Sequence, residues 1–294
     1  MTDLSSKILV KGKGGMKMGI GRYITITISI LIFLFYCGLQ PNTAFAQVLF
    51  QDGFESGNFS QWTSVWTPED VKINSDPKFV RSGNYSVKLH YFAGTAAQGF
   101  RERQDINRLV EKVFSPGYDR FLISGYVYLG TPVKQDMQRK LYYLMDPEGP
   151  RGENYRWGVI LTSFNFELAL APGTPLPPDT GSETYQAGDD AMSWGLYRLK
   201  PNTWYKLDME VRANTPGQKD GYVKVWVNDT QVLNRQNMNL RGTLTTKITR
   251  FKVGQQVDRF DYDLVDEDRY WDDITILGAS DTTAPLPPTG LRVK

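Results

Sequence analysis

Apolar and polar residues alternate with a period of two through most of the chain beyond residue 46. In Trp204-Tyr-Lys-Leu-Asp-Met-Glu-Val-Arg212, Tyr205, Leu207, Met209 and Val211 share one face, and Lys206, Asp208, Glu210 and Arg212 the other. That pattern predicts a half-buried strand. From Tyr222 to Val227 three valines alternate with Tyr222, Lys224 and Trp226, and the intervening NTPGQKDG reads as a hairpin loop. The same test predicts strands over residues 85–91, 120–129, 140–145, 156–162, 164–169, 246–253 and 270–277. Only residues 104–114 read as a short helix. Many strands, turns rich in Gly and Pro and no βαβ rhythm predict an all-β protein, an antiparallel jelly-roll β-sandwich.

The front of the chain changes the charge picture. Lys7, Lys11, Lys13, Lys17 and Arg22 precede an apolar run from Tyr23 to Tyr36 and then Ala44-Phe45-Ala46, the order of a signal peptide cleaved after Ala46. The run is shorter than the ~20 residues a spanning helix needs. The expectation is a bacterial protein that is secreted, periplasmic or on the cell surface, with no membrane association after cleavage. Of 34 basic and 32 acidic side chains, five and one lie in residues 1–46, leaving 29 against 31. No nucleic-acid or anionic-membrane footprint survives that balance. The single cysteine, Cys37, also lies in this segment, so the remainder has neither disulfides nor thiolate metal sites. Residues 47–279 read as one domain, expected to be monomeric. Within it, residues 171–190 form a proline- and acid-rich loop of the kind that borders binding grooves. Residues 280–294 are a proline-rich tail similar to the opening of a fibronectin type III domain, which needs ~90–100 residues to close its own sandwich.

Four stretches carry a family resemblance: DGFESGNFSQW, RSGNYSVKLHY, the long run LKPNTWYKLDMEVRANTPGQKDGYVKVWVNDTQVL, and RFKVGQQ followed by YWDDITI. Together they resemble the concanavalin A-like lectin/glucanase jelly rolls. Within that group they are similar to secreted polysaccharide lyases of the heparin-lyase and alginate-lyase type, and to jelly-roll carbohydrate-binding modules. The resemblance implies an extracellular polysaccharide as partner, held in a groove on the concave sheet. It leaves open binding alone, cleavage of a uronate polymer by β-elimination, and a structural envelope or matrix role.

Each reading has candidate residues. Uronate elimination needs a group that neutralises the sugar carboxylate, a base for the C5 proton and an acid for the leaving oxygen. His90, sharing a strand face with Ser86 and Lys88, Arg101 and Arg103 in FRERQD, Tyr142 and Arg156 are the catalytic candidates. Sugar rings stack their CH faces on aromatics while hydroxyls take hydrogen bonds. Tyr126, Tyr128, Tyr143, Tyr197, Tyr222, Lys224 and Trp226 are accordingly the substrate-binding candidates. Glucanase chemistry is disfavoured: no E-x-D-x-x-E strand occurs, and Asp208 and Glu210 lie among Lys206, Arg212 and Lys224 as a charge-paired surface would.

FQDGFESGNFSQW, residues 50–62, spends acids beside glycines next to the predicted export signal. In YWDDITI, alternation places Asp272 with Ile274 and Ile276, aimed at the core. A carboxylate there must be neutralised, paired or metal-bound. First and last strands of a jelly roll commonly lie side by side, which would bring Asp272 to Glu55, with carbonyls from Gly53 and from Arg81 or Asn84. Oxygen-only ligands describe calcium, and the resemblance implies a structural calcium at such a place. The alternative is an ion pair between Asp272 and Arg269.

Overall fold

The computed structural model describes residues 47–91, 108–130, 138–145, 158–164, 166–173, 193–255 and 267–279. These lie in a single unit, Ala44–Lys294. The predicted signal segment, the tail, most of the 171–190 loop, and Arg101, Arg103 and Arg156 fall outside the described residues. The strands are β1 Gln47–Asp52, β2 Ser64–Trp66, β3 Val71–Asn74, β4 Ser86–Tyr91, β5 Arg108–Tyr118, β6 Arg120–Leu129, β7 Gln138–Met145 and β8 Gly158–Phe164. They continue with β9 Glu167–Gly173, β10 Ser193–Arg198, β11 Trp204–Arg212, β12 Gly221–Val227, β13 Thr230–Met238, β14 Ile248–Gln255 and β15 Glu267–Ala279.

Every pairing is antiparallel, in two sheets. The first has the order β13-β12-β11-β6-β15-β4-β3, with β1 also on β15; the second has the order β10-β9-β8-β7-β14-β5-β2. The fold is the expected jelly-roll sandwich. Its core lies between the sheets: Leu207, Met209, Val211, Val223 and Val225 of the first against Leu144, Leu161, Leu170, Phe251 and Val253 of the second, all fully buried. Each such side chain contributes roughly 1.5–3 kcal/mol. First and last strands do lie together, Phe50 opposite Ile276 and Asp52 opposite Ile274.

Three expectations are corrected. Within 104–114, the described residues 108–114 are strand, the start of β5. Val110 and Phe114 point into the core, and β14 and β2 hydrogen-bond β5 from both sides, so sheet pairing overrides any local helical preference. Residues 164–169 are not one strand, because Phe166 at φ 63° turns the chain between β8 and β9. Asp272 does not share a face with Ile274 and Ile276. Asp272 pairs with Tyr126 but Thr275 with Ser124, so one extra residue enters β15, with Asp273 at φ 51°. This bulge resets the alternation: Asp272 lies on the outer face beside Tyr126, while Ile274 and Ile276 point inward.

Candidate functional site

The outer face of the second sheet holds the arrangement best suited to an anionic polymer. Because Phe251 and Val253 point into the core, alternation sends Arg250 and Lys252 outward. On β7 a register shift between Lys140 and Tyr142 turns Leu141, Tyr142 and Leu144 to the core. Lys140 and Tyr143 are left outside, with the Lys140 Nζ 5.6 Å from the Tyr143 ring centre. Register then aligns one row across six strands: Ser64, Glu111, Lys252, Tyr143, Ile160 and Ala171. Lys252 and Tyr143 are direct cross-strand partners on the adjacent strands β14 and β7.

Glu111 is the acid among these cations. It accepts hydrogen bonds from Ser64 Oγ at 2.9 Å and Arg250 Nη1 at 3.0 Å, with Lys252 Nζ 3.7 Å away. Lys140, Lys252 and Glu111 are 2, 5 and 4 % exposed. Glu111 thus draws Arg250 and Lys252 together at low dielectric, where charge acts strongly, and Lys140 lies beside the Tyr143 ring. At the edge stands Trp66, its ring centre 5.2 Å from Lys252 Nζ and its Nε1 donating to Ser64 Oγ at 3.2 Å.

The outer face of the first sheet is different. Glu210 pairs with the Arg120 guanidinium, accepts from Tyr222 Oη at 2.6 Å and lies 3.4 Å from Lys224 Nζ. Burial, then Glu210, pushes the Tyr222 phenol up. Lys206 bridges Asp229 at 2.6 Å and Asp208 at 3.4 Å. His90 Nδ1 and Lys88 Nζ each sit 2.7 Å from Asp268; burial alone would raise that carboxyl, but the two partners hold it below its usual value. Tyr128 and Tyr270 are buried and Phe79, of the 3-10 turn Pro77–Phe79, stacks on Tyr270 at 4.3 Å. Arg81 covers Tyr126 at 4.6 Å.

The sequence candidates are therefore split between two faces. Tyr143 lies in the cationic row. His90, Tyr126, Tyr128, Tyr222, Lys224 and Trp226 lie on the first sheet's outer face, away from it. Tyr197 packs edge to face on Tyr205, 6.0 Å away, against the core. Tyr142, expected as a catalytic group, is fully buried in the core and its hydroxyl has no hydrogen-bond partner among the described residues. Lys140, Glu111, Arg250, Lys252 and Trp66 were missed, although alternation within RFKVG marks Arg250 and Lys252 as outward.

The opening acids have separate roles. Asp52 accepts from Phe54 N at 2.7 Å and Trp62 Nε1 at 2.8 Å, pinning an indole that stacks on Phe54 and Phe251. Glu55 accepts from Asn84 N and Tyr85 N at 3.0 Å. Gly83, at φ 67°, is obligatory there, since a Cβ would collide with the Glu55 carboxyl. Asp272 Oδ2 accepts from Arg81 N at 2.9 Å and Ser82 N at 3.2 Å. Arg81 and Asn84 thus turn N–H groups toward the acids, not the expected carbonyls. Arg269 pairs with Glu267 at 3.1 Å, not with Asp272. Burial, then the charge of Asp273, pushes the Asp272 carboxyl up to about 7. Among the described residues no group of three His, Cys, Asp or Glu is placed to hold a metal ion.

A family model described as polysaccharide lyase matches residues 54–257, more than half of the chain. The chain belongs to the polysaccharide lyase family. Among solved structures, an endo-β-1,4-glucuronan lyase from the fungus Trichoderma reesei is similar at 11 % identity and TM-score 0.59, over 79 % of this chain and 96 % of that one. The PL-14 alginate lyase from Aplysia kurodai gives 15 % and 0.57, over 80 % and 100 %. The alginate lyase vAL-1 from a Chlorella virus gives 13 % and 0.54, over 79 % and 100 %. At these identities the likeness shows the fold alone. No curated protein matches by sequence. In this polysaccharide lyase family chain, the matched span contains the whole cationic row, from Ser64 to Lys252.

Proposed function

We propose that this chain is a polysaccharide lyase that cleaves a uronate-containing polymer by β-elimination on the outer face of the second sheet. The observation that carries the reading is the buried cross-strand pair Lys252 and Tyr143, flanked by Lys140 and Arg250, with Glu111 holding Arg250 and Lys252. A sugar carboxylate laid on this row meets Lys252 and Arg250, whose charge stabilises the negative charge that builds on the carboxylate as C5 loses its proton. The Tyr143 oxygen is the proton-transfer group: entering the step deprotonated, it takes the C5 proton, the C4–O bond breaks as the C4–C5 double bond forms, and Tyr143 passes that same proton to the departing oxygen, which restores its starting state. The products are an unsaturated uronate and a new chain end.

Two observations favour catalysis over binding alone: the family match and the desolvation of the cations. Binding by itself would be served by exposed aromatics, yet the row is built from buried charge. The test is the ultraviolet absorbance of the unsaturated product over a panel of uronate polymers. At least one polymer should give a signal that Lys252→Ala and Tyr143→Phe both abolish. A signal on no polymer, with retention on a polyuronate gel, would return the reading to binding.

The proposal includes a structural calcium beside Gly53. The residues fit it in part. Asp272 and Asp273 bring carboxylates to within 3.9 and 3.3 Å of where a Gly53 Cβ would lie, and their mutual repulsion suits a hard cation, although Asp272, like Glu55, already accepts from backbone amides. Such an ion would neutralise the pair and tie β15 to the loop after β1, without touching substrate.

A further inference from the structure

Among the described residues, Trp66 is one of three exposed large hydrophobic side chains, with 39 % of its surface open, alongside Val48 and Trp194. An isolated exposed tryptophan on an edge strand needs no explanation on its own. Its setting makes it informative. It lies on β2 at the edge of the second sheet, opposite Leu109 in register, two positions along from Ser64 of the row and on the same face. Its indole is oriented by a chain of hydrogen bonds, Nε1 to Ser64 Oγ and Ser64 Oγ to the Glu111 carboxylate. The Lys252 Nζ sits 5.2 Å from its ring centre. The same acid that holds Arg250 and Lys252 thus also sets the pose of a solvent-open aromatic.

We infer that Trp66 is a stacking subsite for the sugar unit next to the one whose carboxylate meets Lys252, and that the polymer crosses the strands from β7 toward β2. The inference rests on the lyase reading of this face and adds to it a specificity residue and a direction. Lys252 on β14 reaches past β5 toward Trp66 on β2, so its Nζ and the indole ring centre lie 5.2 Å apart, close enough for neighbouring sugars of one chain to meet both. An indole offers a rigid apolar plane for the CH face of a pyranose, while its N–H is already satisfied by Ser64. The ligand class is a pyranose chain with equatorial substituents presenting such a face.

The test separates binding from turnover. KM and kcat are measured for Trp66→Ala and Trp66→Phe on a susceptible polyuronate. Retention on polyuronate-containing native gels is measured for both in a Tyr143→Phe background, where no turnover interferes. Trp66→Ala should raise KM roughly three- to ten-fold with a much smaller change in kcat, and should weaken retention to match. Trp66→Phe should restore most of both, and melting temperatures should stay level. Unchanged KM and retention in Trp66→Ala, or a Trp66→Phe protein as impaired as Trp66→Ala, would overturn the subsite. Absence of unsaturated product from every polymer would refute the lyase reading separately, since loss of gel retention on Trp66→Ala would still support the stacking subsite.

Discussion

The outer faces of the two sheets carry similar residue types and use them in opposite ways. On the first sheet, the Asp272–Asp273 pair apart, charges sit against counter-charges: Arg120, Lys224 and Tyr222 converge on Glu210, Lys206 on Asp208 and Asp229, and Lys88 and His90 on Asp268. On the second sheet Arg250 and Lys252 meet at Glu111, in line with Tyr143, and Lys140 lies beside the Tyr143 ring. A face whose charges are internally balanced resists desolvation and holds strands in register. One that gathers buried cations beside a tyrosine in a single cross-strand row offers groups suited to an anion. Residue identity alone does not distinguish scaffold from site; the arrangement within each face does.

The largest expected effect tests that contrast in turnover. Lys252→Ala and Tyr143→Phe should each lower kcat on a susceptible polymer by roughly 10²–10⁴, while His90→Ala on the first sheet changes it little; steady-state kinetics on the three variants decides. The converse contrast is in stability. Glu210→Ala strands Arg120, 4 % exposed, and should cost about 3–5 kcal/mol in denaturant unfolding. A double replacement of Arg120 and Glu210 by apolar residues of similar volume should recover most of that loss.

Smaller effects follow at Asp272. Its folded pKa, about 7, exceeds the ordinary value of 3.8, so in chelator its contribution is complete below about pH 4 and disappears as pH rises through 7. Calcium should therefore stabilise most above neutrality, by about 2.7 kcal/mol at one hundred times Kd. Melting curves with calcium and with chelator, at acid and alkaline pH, should diverge only at the higher pH, and Asp272→Asn should remove the divergence. Identical curves at every pH would dismiss the ion.

The smallest effect separates two adjacent tyrosines. A Gly125 Cβ would lie 2.9 Å from the Tyr142 hydroxyl, which reaches across the core from the second sheet to the first. Gly125→Ala should cost about 1–3 kcal/mol by overpacking, relieved in combination with Tyr142→Phe. Tyr142→Phe alone should leave both stability and turnover near parental, since the buried hydroxyl makes no described hydrogen bond.

Period-two alternation made the interior strands legible: β6 and β11 match their predicted spans, and β4, β7, β12, β14 and β15 lie within a few residues. The strands it missed include β1, β2, β3, β10 and β13, which are the edge strands of the two sheets. Edge strands are short or, like β13, largely exposed, so burial leaves little alternation in them. Irregularities misled the reading of the site. The register shift on β7 sends Tyr142 inward and Tyr143 outward, and the bulge at Asp273 moves Asp272 from core to outer face. Neither is visible to a strict count of two. The row from Ser64 to Ala171 depends on pairing between strands far apart in the chain, which no local pattern encodes. Lys252 was within reach of alternation in RFKVG; its partnership with Tyr143 was not.

The most direct test of the central claim is a crystal structure of the Tyr143→Phe variant with a uronate tetrasaccharide bound. Sugar is expected on the outer face of the second sheet, with a carboxylate within hydrogen-bond distance of Lys252 or Arg250 and a pyranose ring on Trp66. A tetrasaccharide seated instead on the first sheet, over Tyr222, Lys224 and Trp226, would contradict that claim.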